Sequence, residues 1–462
     1  MVIVYYTLIR FKRMVLAKVW LVFCSLFFYG YWNPVYVPLI AASIIVNYLL
    51  GLFLGKTHRV STTVLAGNRK AILVVGIAMN LFLLGFFKYV DFFLENISSV
   101  TGRHLALLHI ILPLAISFFT FQQIAYLVDS YRQKTGEPSL LDYSLFVIFF
   151  PKLQAGPIVR HGEMMPQFDA MDNKRVNYQN LSVGLYIFSI GLIKKAVVAD
   201  TFALWANMGY EELRVLTFAE AWIASLSYTM QLYFDFSGYT DMAIGSARMF
   251  NIKLPKNFDS PYKALSIQDF WRRWHMTLSR FLRDYIYIPL GGNRKGNGRT
   301  YVNLIITFFL GGLWHGAGWT FIVWGMLHGL AATVNRFWHE KVCIRLPKFL
   351  AWVLTFMFVH IAWVFFRAQS FAHAAQVLRG MFGLTSISGF SLFNSIGTID
   401  RLLSVAVMIP AGIIILLARN SNELEQTFRP SILKMATVVG CLFLGFLYLN
   451  STIPKEFLYF DF

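Results

Sequence analysis

The sequence predicts an all-α, polytopic integral membrane protein. Apolar residues dominate, charge is scarce, and apolar runs recur at the length of a bilayer crossing. Of the 462 residues 57% are hydrophobic and 14% charged, and the mean hydropathy is +0.56; soluble domains carry nearer a quarter charged residues. A hydrocarbon core about 30 Å thick takes roughly 20 mostly apolar helical residues per crossing, so the chain has room for about ten to twelve transmembrane or re-entrant helices. They are expected to form one domain over residues 1–462, with its core at about 145–335.

The elements follow in chain order. MVIVYYTLI precedes RFKR at 10–13. It is too short to cross a bilayer and lacks the charged start of a signal peptide. It reads as the end of a first helix whose beginning is missing, or as an interfacial segment. Helix-compatible apolar runs then lie near 19–32, 35–54, 71–88, 105–129, 180–198, 217–234, 301–314, 317–335, 349–366, 402–417 and 432–449. Two stretches are basic, Arg10 to Lys18 and Lys56, Arg59, Arg69 and Lys70, whereas the Asn33-Pro34 turn between those helices has no charge. The positive-inside bias puts both basic stretches in the cytoplasm and the turn outside. Alternation then places 89–104 outside and Arg132 and Lys134 inside.

The formal charge is +18, but the Lys and Arg residues sit in short clusters between apolar runs, which is membrane topology and not a nucleic-acid surface. The expected partner is membrane lipid. Cys24, Cys343 and Cys441 form no CxxC pair, so neither a disulfide framework nor a cysteine-rich metal site is expected.

Two regions depart from simple spans. LFVIFFPKLQAGPIVRHGEMMPQF, 145–168, is broken by Pro151, Gly156-Pro157 and Pro166 and carries Lys152, Arg160, His161 and Glu163. Irregular backbone at membrane depth survives only against protein or a water-filled cavity, so this is expected to be a re-entrant element. In 255–300, Ser266 with Asp269 makes a capping-box start and Pro289-Leu-Gly-Gly a stop, predicting one helix over about 267–286. On it Trp271, His275, Leu278 and Leu282 would share a face, with Arg272, Arg273, Arg280 and Arg283 on others, toward head groups or a polyanion.

Nucleotide and zinc-protease motifs are missing. GLFLGKT at 51–57 has three residues between its glycines where a P-loop needs four, GGNRKGNG does not match GxGxxG, and neither GxSxG nor HExxH occurs. No metal site is expected. The ionisable candidates at membrane depth are His315, His328, His360, Asp235 and Asp241, because charging a side chain there costs about 2.5 kcal/mol or more. His328 and His360 read as neutral, hydrogen-bonded rings.

His315, in GGLWHGAGW, differs in its neighbours. Gly311, Gly312, Gly316 and Gly318 permit close approach by another helix or by a ligand, and an imidazole suits general-base work. In one continuous helix His315 and His328 would stand about 20 Å apart and share no centre. In QLYFDFSGYTDMAIG, 231–245, Asp235, Ser237, Tyr239 and Asp241 fit a structural network as well as substrate contact.

FFPKLQAGPIVR, FDFSGYTDMAIG, FWRRWHMTLSRFLRDYIYIPLGGNR and LGGLWHGAGWTFIVWGMLHG, in this order, resemble the membrane-bound O-acyltransferase (MBOAT) family, in the branch of alginate O-acetyltransferase membrane subunits (AlgI-like). The resemblance covers most of the chain, from SLFFYGYWNP at 25 onward. It implies a ring of tilted helices around a central tunnel, His315 as the essential histidine and His275 as its partner. It also implies O-acetylation of an exported polysaccharide, alginate-like, from a cytoplasmic acetyl thioester.

Acetyl-CoA is then a substrate, with no permanently bound cofactor. A periplasmic acetyltransferase is the expected partner protein, and the location is the bacterial inner membrane. The candidate substrate contacts are Arg160, Asp235, Tyr239, Asp241, Arg272, Arg273, Trp274, Asn293 and Trp314; the arginines would bind carrier phosphates or lipid head groups. The alternative is a proton-coupled transporter of an acylated carrier or polymer, using His315, Asp235 and Asp241 as a relay.

Overall fold

The computed structural model describes residues 1–55, 69–136, 138–211, 215–385, 398–450 and 458, with the backbone alone over 398–406. Lys56 and Arg59 lie outside the described residues. Among the described residues the regular structure is helical, and six helices are long and apolar enough to cross a membrane: Met14–Trp32, Pro34–Leu54, Arg69–Thr101, Tyr178–Tyr210, Lys348–Arg367 and Ile432–Leu449. The chain divides into two compact units. The first is Met1–Phe188 with Met242–Pro255, and the second is Ser189–Asp241 with Lys256–Phe462.

The first unit holds α1 (Val2–Arg10), α2 (Met14–Trp32), α3 (Val37–Leu54), α4 (Arg69–Thr101), α5 (Ile116–Tyr131), α6 (Leu140–Ile148), α7 (Phe150–Leu153), α8 (His161–Asp169) and most of α9 (Tyr178–Leu192). Two expectations are corrected here. The run near 71–88 is part of a longer helix: residues 89–101, placed outside by alternation, continue α4, which ends at Gly102 in the left-handed region (φ +67), where a glycine pays no Cβ penalty. The run at 105–129 is helical only from Ile116, after Pro113 and left-handed Ala115. The broken segment 145–168 forms short helices, with Pro151 in the first turn of α7 and Pro166 inside α8. Lys18 of α2, buried, ties two of them down, donating to Asp142 at 2.7 Å and to Asp169 at 2.8 Å.

The second unit holds α10 (Asp200–Tyr210), most of α11 (Phe218–Arg248), α12 (Ile267–Arg273), α13 (Met276–Leu282), α14 (Gly296–His315), α15 (Trp319–Phe337), α16 (Lys348–Arg367), α17 (Phe371–Met381), α18 (Thr398–Leu417), α19 (Ser421–Gln426) and α20 (Ile432–Leu449). Before α10 the helix widens to a π-turn over Ile193–Ala199. This lets consecutive residues Lys194 and Lys195 both reach α11. Lys195 pairs with Asp235 at 2.8 Å and Asp200 at 2.7 Å, and Lys194 pairs with Asp241 at 2.7 Å. Gly238, midway between the two aspartates, makes the approach possible: a methyl group there would stand 2.8 Å from the Gly191 carbonyl oxygen and 2.9 Å from the Lys195 nitrogen.

The single helix predicted over 267–286 is broken. α12 stops at Arg273, Trp274 is extended, His275 is left-handed (φ 42, ψ 51), and α13 starts at Met276. Trp271 and His275 therefore do not share a helical stripe with Leu278 and Leu282. The freed backbone groups find partners in an upstream segment: Met276 N–H donates to the Asn257 carbonyl at 2.9 Å, and Asp259 N–H to the Arg273 carbonyl at 2.9 Å. No Gly or Pro in 267–286 announces the break. Its cause is tertiary.

Candidate active site

The site is built from two interruptions. α14 ends on Trp314 and His315, the extended Gly316–Gly318 turn follows, and α15 folds back against α14. A methyl on Gly325 of α15 would stand 2.5 Å from the Phe308 carbonyl oxygen of α14 and 3.1 Å from the Gly312 Cα. Of the glycines around His315, Gly312 thus serves helix approach, one of the two readings they allowed. The hairpin also means that no continuous helix joins His315 and His328.

His315 is buried, with ring centres of Trp314 at 4.9 Å, Trp324 at 5.1 Å and Phe366 at 5.1 Å. The second interruption, between α12 and α13, delivers His275 to the same place, and the two imidazole centres lie 6.3 Å apart. Hydrogen bonds of about 2.8 Å from each ring, plus ring radii, let one substrate span centres up to roughly 8 Å apart. The His275 ring meets Phe236 edge-on at 4.7 Å and Trp314 at 6.1 Å. Its Nδ1 lies 3.2 Å from Asn257 Oδ1, which also accepts from Thr277 N–H at 3.2 Å and Thr277 Oγ1 at 2.8 Å. His275 lies outside the six long apolar helices; burial lowers its pKa to about 3, which keeps the ring neutral at physiological pH.

The other candidates separate. Trp274 is buried, stacked on Phe270 at 5.7 Å and against Trp363 at 5.0 Å, a wall behind His275. Trp314 touches both histidine rings. Asp235 and Asp241 are ion-paired as above, and Asp241 also accepts from Ser421 Oγ at 2.5 Å. Tyr239 is half-buried on α11 and Arg272 is exposed. Arg273 pairs with Asp269 at 2.8 Å. Asn293 is exposed in the loop after left-handed Gly291 and Gly292. Arg160, half-buried at the start of α8, belongs to the first unit.

His328 accepts from Trp271 Nε1 at 3.2 Å, with Trp324 against both it and His315. His360 sits between the hydroxyls of Thr229 (2.8 Å) and Ser225 (3.3 Å). Both fit the neutral, hydrogen-bonded reading.

Sequence reasoning missed Asn257, Phe236, Trp324 and Phe366 around the histidines, and Lys194 and Lys195. Only the lysines left a clear signal: two adjacent charges in an apolar run.

The geometry is that of two buried imidazoles facing each other among aromatic rings in a helical chain with six helices long and apolar enough to cross a membrane. The family model described as MBOAT, membrane-bound O-acyltransferase family, matches residues 129–375. The peptidoglycan O-acetyltransferase of Helicobacter pylori is 46% identical, over 98% of this chain and 92% of that protein. The probable alginate O-acetylase of Pseudomonas aeruginosa is 40% identical, over 78% and 69% respectively. The teichoic acid D-alanyltransferase of Bacillus subtilis is 29% identical, over 56% and 70%. The chain belongs to the membrane-bound O-acyltransferase family. It is an acyltransferase, as its motifs led us to expect, and a multi-pass membrane protein.

Proposed function

We propose that this chain passes an acetyl group from a cytoplasmic thioester, acetyl-CoA, across the bacterial inner membrane for O-acetylation of an exported polysaccharide. The observation that carries the chemistry is the pairing of His315 with His275 in a buried aromatic nest. As the attacking hydroxyl oxygen bonds to the thioester carbonyl carbon, His315 takes its proton. The carbon–sulfur bond then breaks, and the thiolate leaves with the proton that His315 returns. General-base assistance of this kind is worth typically 10²- to 10⁴-fold. Trp314, Trp324 and Phe366 exclude water, which strengthens each polar interaction inside.

Among polymers, peptidoglycan is favoured over alginate, because the likeness to the peptidoglycan O-acetyltransferase is higher in identity and extends over nearly all of both chains. A periplasmic transferase completes the route to the polymer. In this scheme Lys194, Lys195, Asp235 and Asp241 hold helices, and the exposed Arg272 and Asn293 face solvent or head groups.

Deleting the gene and restoring it on a plasmid tests the reading. Ester-linked acetate released by mild base from purified peptidoglycan should fall on deletion and return with the wild-type gene, but not with His315→Ala. Unchanged peptidoglycan acetate, with the loss confined to another polymer, would transfer the assignment to that polymer.

A further inference from the structure

We infer that Asn257 is a positioning residue for the reaction, fixing the His275 ring in the tautomer with hydrogen on Nδ1, so that its Nε2 serves as a hydrogen-bond acceptor and not as an oxyanion donor. The inference rests on the acyl-transfer reading above. The amide orientation follows from Thr277: its backbone N–H, a donor only, faces the Asn257 side chain at 3.2 Å, so the atom there is the oxygen. That same oxygen lies 3.2 Å from His275 Nδ1. A carboxamide oxygen has no hydrogen to give. The hydrogen between them therefore belongs to Nδ1, and in a neutral ring the lone pair belongs to Nε2. The low pKa of the buried ring agrees with this.

Asn257 is itself held. Its carbonyl accepts from Met276 N–H, which pins the left-handed turn at His275. Next to it, Asn422 Nδ2 donates to the Phe258 carbonyl at 2.6 Å, and Asn420 Nδ2 to Asp259 Oδ1 at 2.8 Å. Both belong to the start of α19, whose Ser421 bonds the Lys194–Asp241 pair. Residues of four separate chain segments thus converge on the orientation of one imidazole.

The consequence is chemical. His315 receives the proton of the attacking hydroxyl, and His275 accepts a hydrogen bond from a second donor on the acceptor molecule, as a neighbouring hydroxyl of a polyol supplies. The acceptor is thereby oriented, and oxyanion stabilisation falls to other groups.

The test uses full-length protein in nanodiscs together with the periplasmic transferase, with [¹⁴C]acetyl-CoA as donor and soluble peptidoglycan fragments as acceptor, and His315→Ala run in parallel. Asn257→Leu should lower kcat about 10- to 100-fold, the range known for partners that orient metal-bound imidazoles, while KM for acetyl-CoA stays within twofold. Asn257→Asp keeps the acceptor atom and the size, and so serves if the leucine variant folds poorly. Its carboxylate raises the His275 pKa, so its rate should be depressed at pH 6 and climb about tenfold toward pH 9, a limb the wild type lacks. Among the described residues the titratable ring beside His275 is His315; Phe236 and Trp314 are the other walls.

¹⁵N spectra of histidine-labelled protein, with His275 assigned by a His275→Gln difference, should show hydrogen on Nδ1. A pH profile of Asn257→Asp superimposable on wild type, or hydrogen found on His275 Nε2, overturns the inference. Full activity in His315→Ala instead overturns the acyl-transfer reading beneath it.

Discussion

Replacing Lys194 with methionine removes one partner of a buried ion pair and leaves the other in place. Asp241 is 6% exposed, and among the described residues its carboxylate keeps the Ser421 hydroxyl at 2.5 Å once the ammonium at 2.7 Å is gone. Stranding one member of such a pair costs about 3–5 kcal/mol, whereas replacing both with apolar residues of similar volume is near neutral. Unfolding entropy near 2.1 cal/mol/K per residue, over the roughly 260 residues of the second unit, converts that loss to a fall in midpoint of about 6–9 °C. Thermal unfolding of purified protein in detergent reads it directly. Lys194→Met should fall by that amount, Asp241→Leu comparably, and the double variant should recover most of the loss. A fall under 2 °C in Lys194→Met, or a double variant no better than the worse single one, would refute the reasoning that this pair is a closed structural unit.

Two further predictions concern the interruptions that build the site. Gly325→Ala forces a methyl to 2.5 Å from the Phe308 carbonyl oxygen; overpacking of this kind costs about 1–3 kcal/mol and moves α14 with His315. Its acetyl-transfer rate should fall by more than tenfold while the protein still inserts in membranes, as checked by activity per milligram of purified protein. His275 carries a folded-state pKa of about 3 against 6.5, so the unfolded state binds its proton first. The stability tied to the neutral ring is complete above pH 6.5 and is lost as pH falls from there toward 3. His275→Gln should therefore flatten the acid side of a midpoint-versus-pH curve in that window; an unchanged slope contradicts the burial of the ring.

How far the sequence reveals this arrangement can be judged residue by residue. Long apolar runs announce α2, α3, α9, α16 and α20, because a bilayer imposes length and composition together. His315 stands out because a lone imidazole among glycines needs explaining. The same logic fails at 267–286, where every local signal favours one helix. The left-handed turn at His275 is held by the Asn257 carbonyl, eighteen residues upstream, and no local propensity encodes such a partner. Asp235 and Asp241 are legible as buried acids but ambiguous in role, since pairing them with Lys194 and Lys195 takes a π-turn that aims both lysines at α11, and no local signal encodes it. The extension of α4 past residue 88 is not legible, because helix length beyond one crossing leaves no separate mark in sequence.

The account stands on His315 as the base of an acyl transfer. The most direct measurement is acetyl transfer from [¹⁴C]acetyl-CoA by purified protein in nanodiscs, wild type beside His315→Ala at equal folded amounts. The account predicts a loss of at least about 10²-fold in kcat, with an unfolding midpoint within a few degrees of wild type. Transfer at the wild-type rate in a folded His315→Ala protein would contradict it.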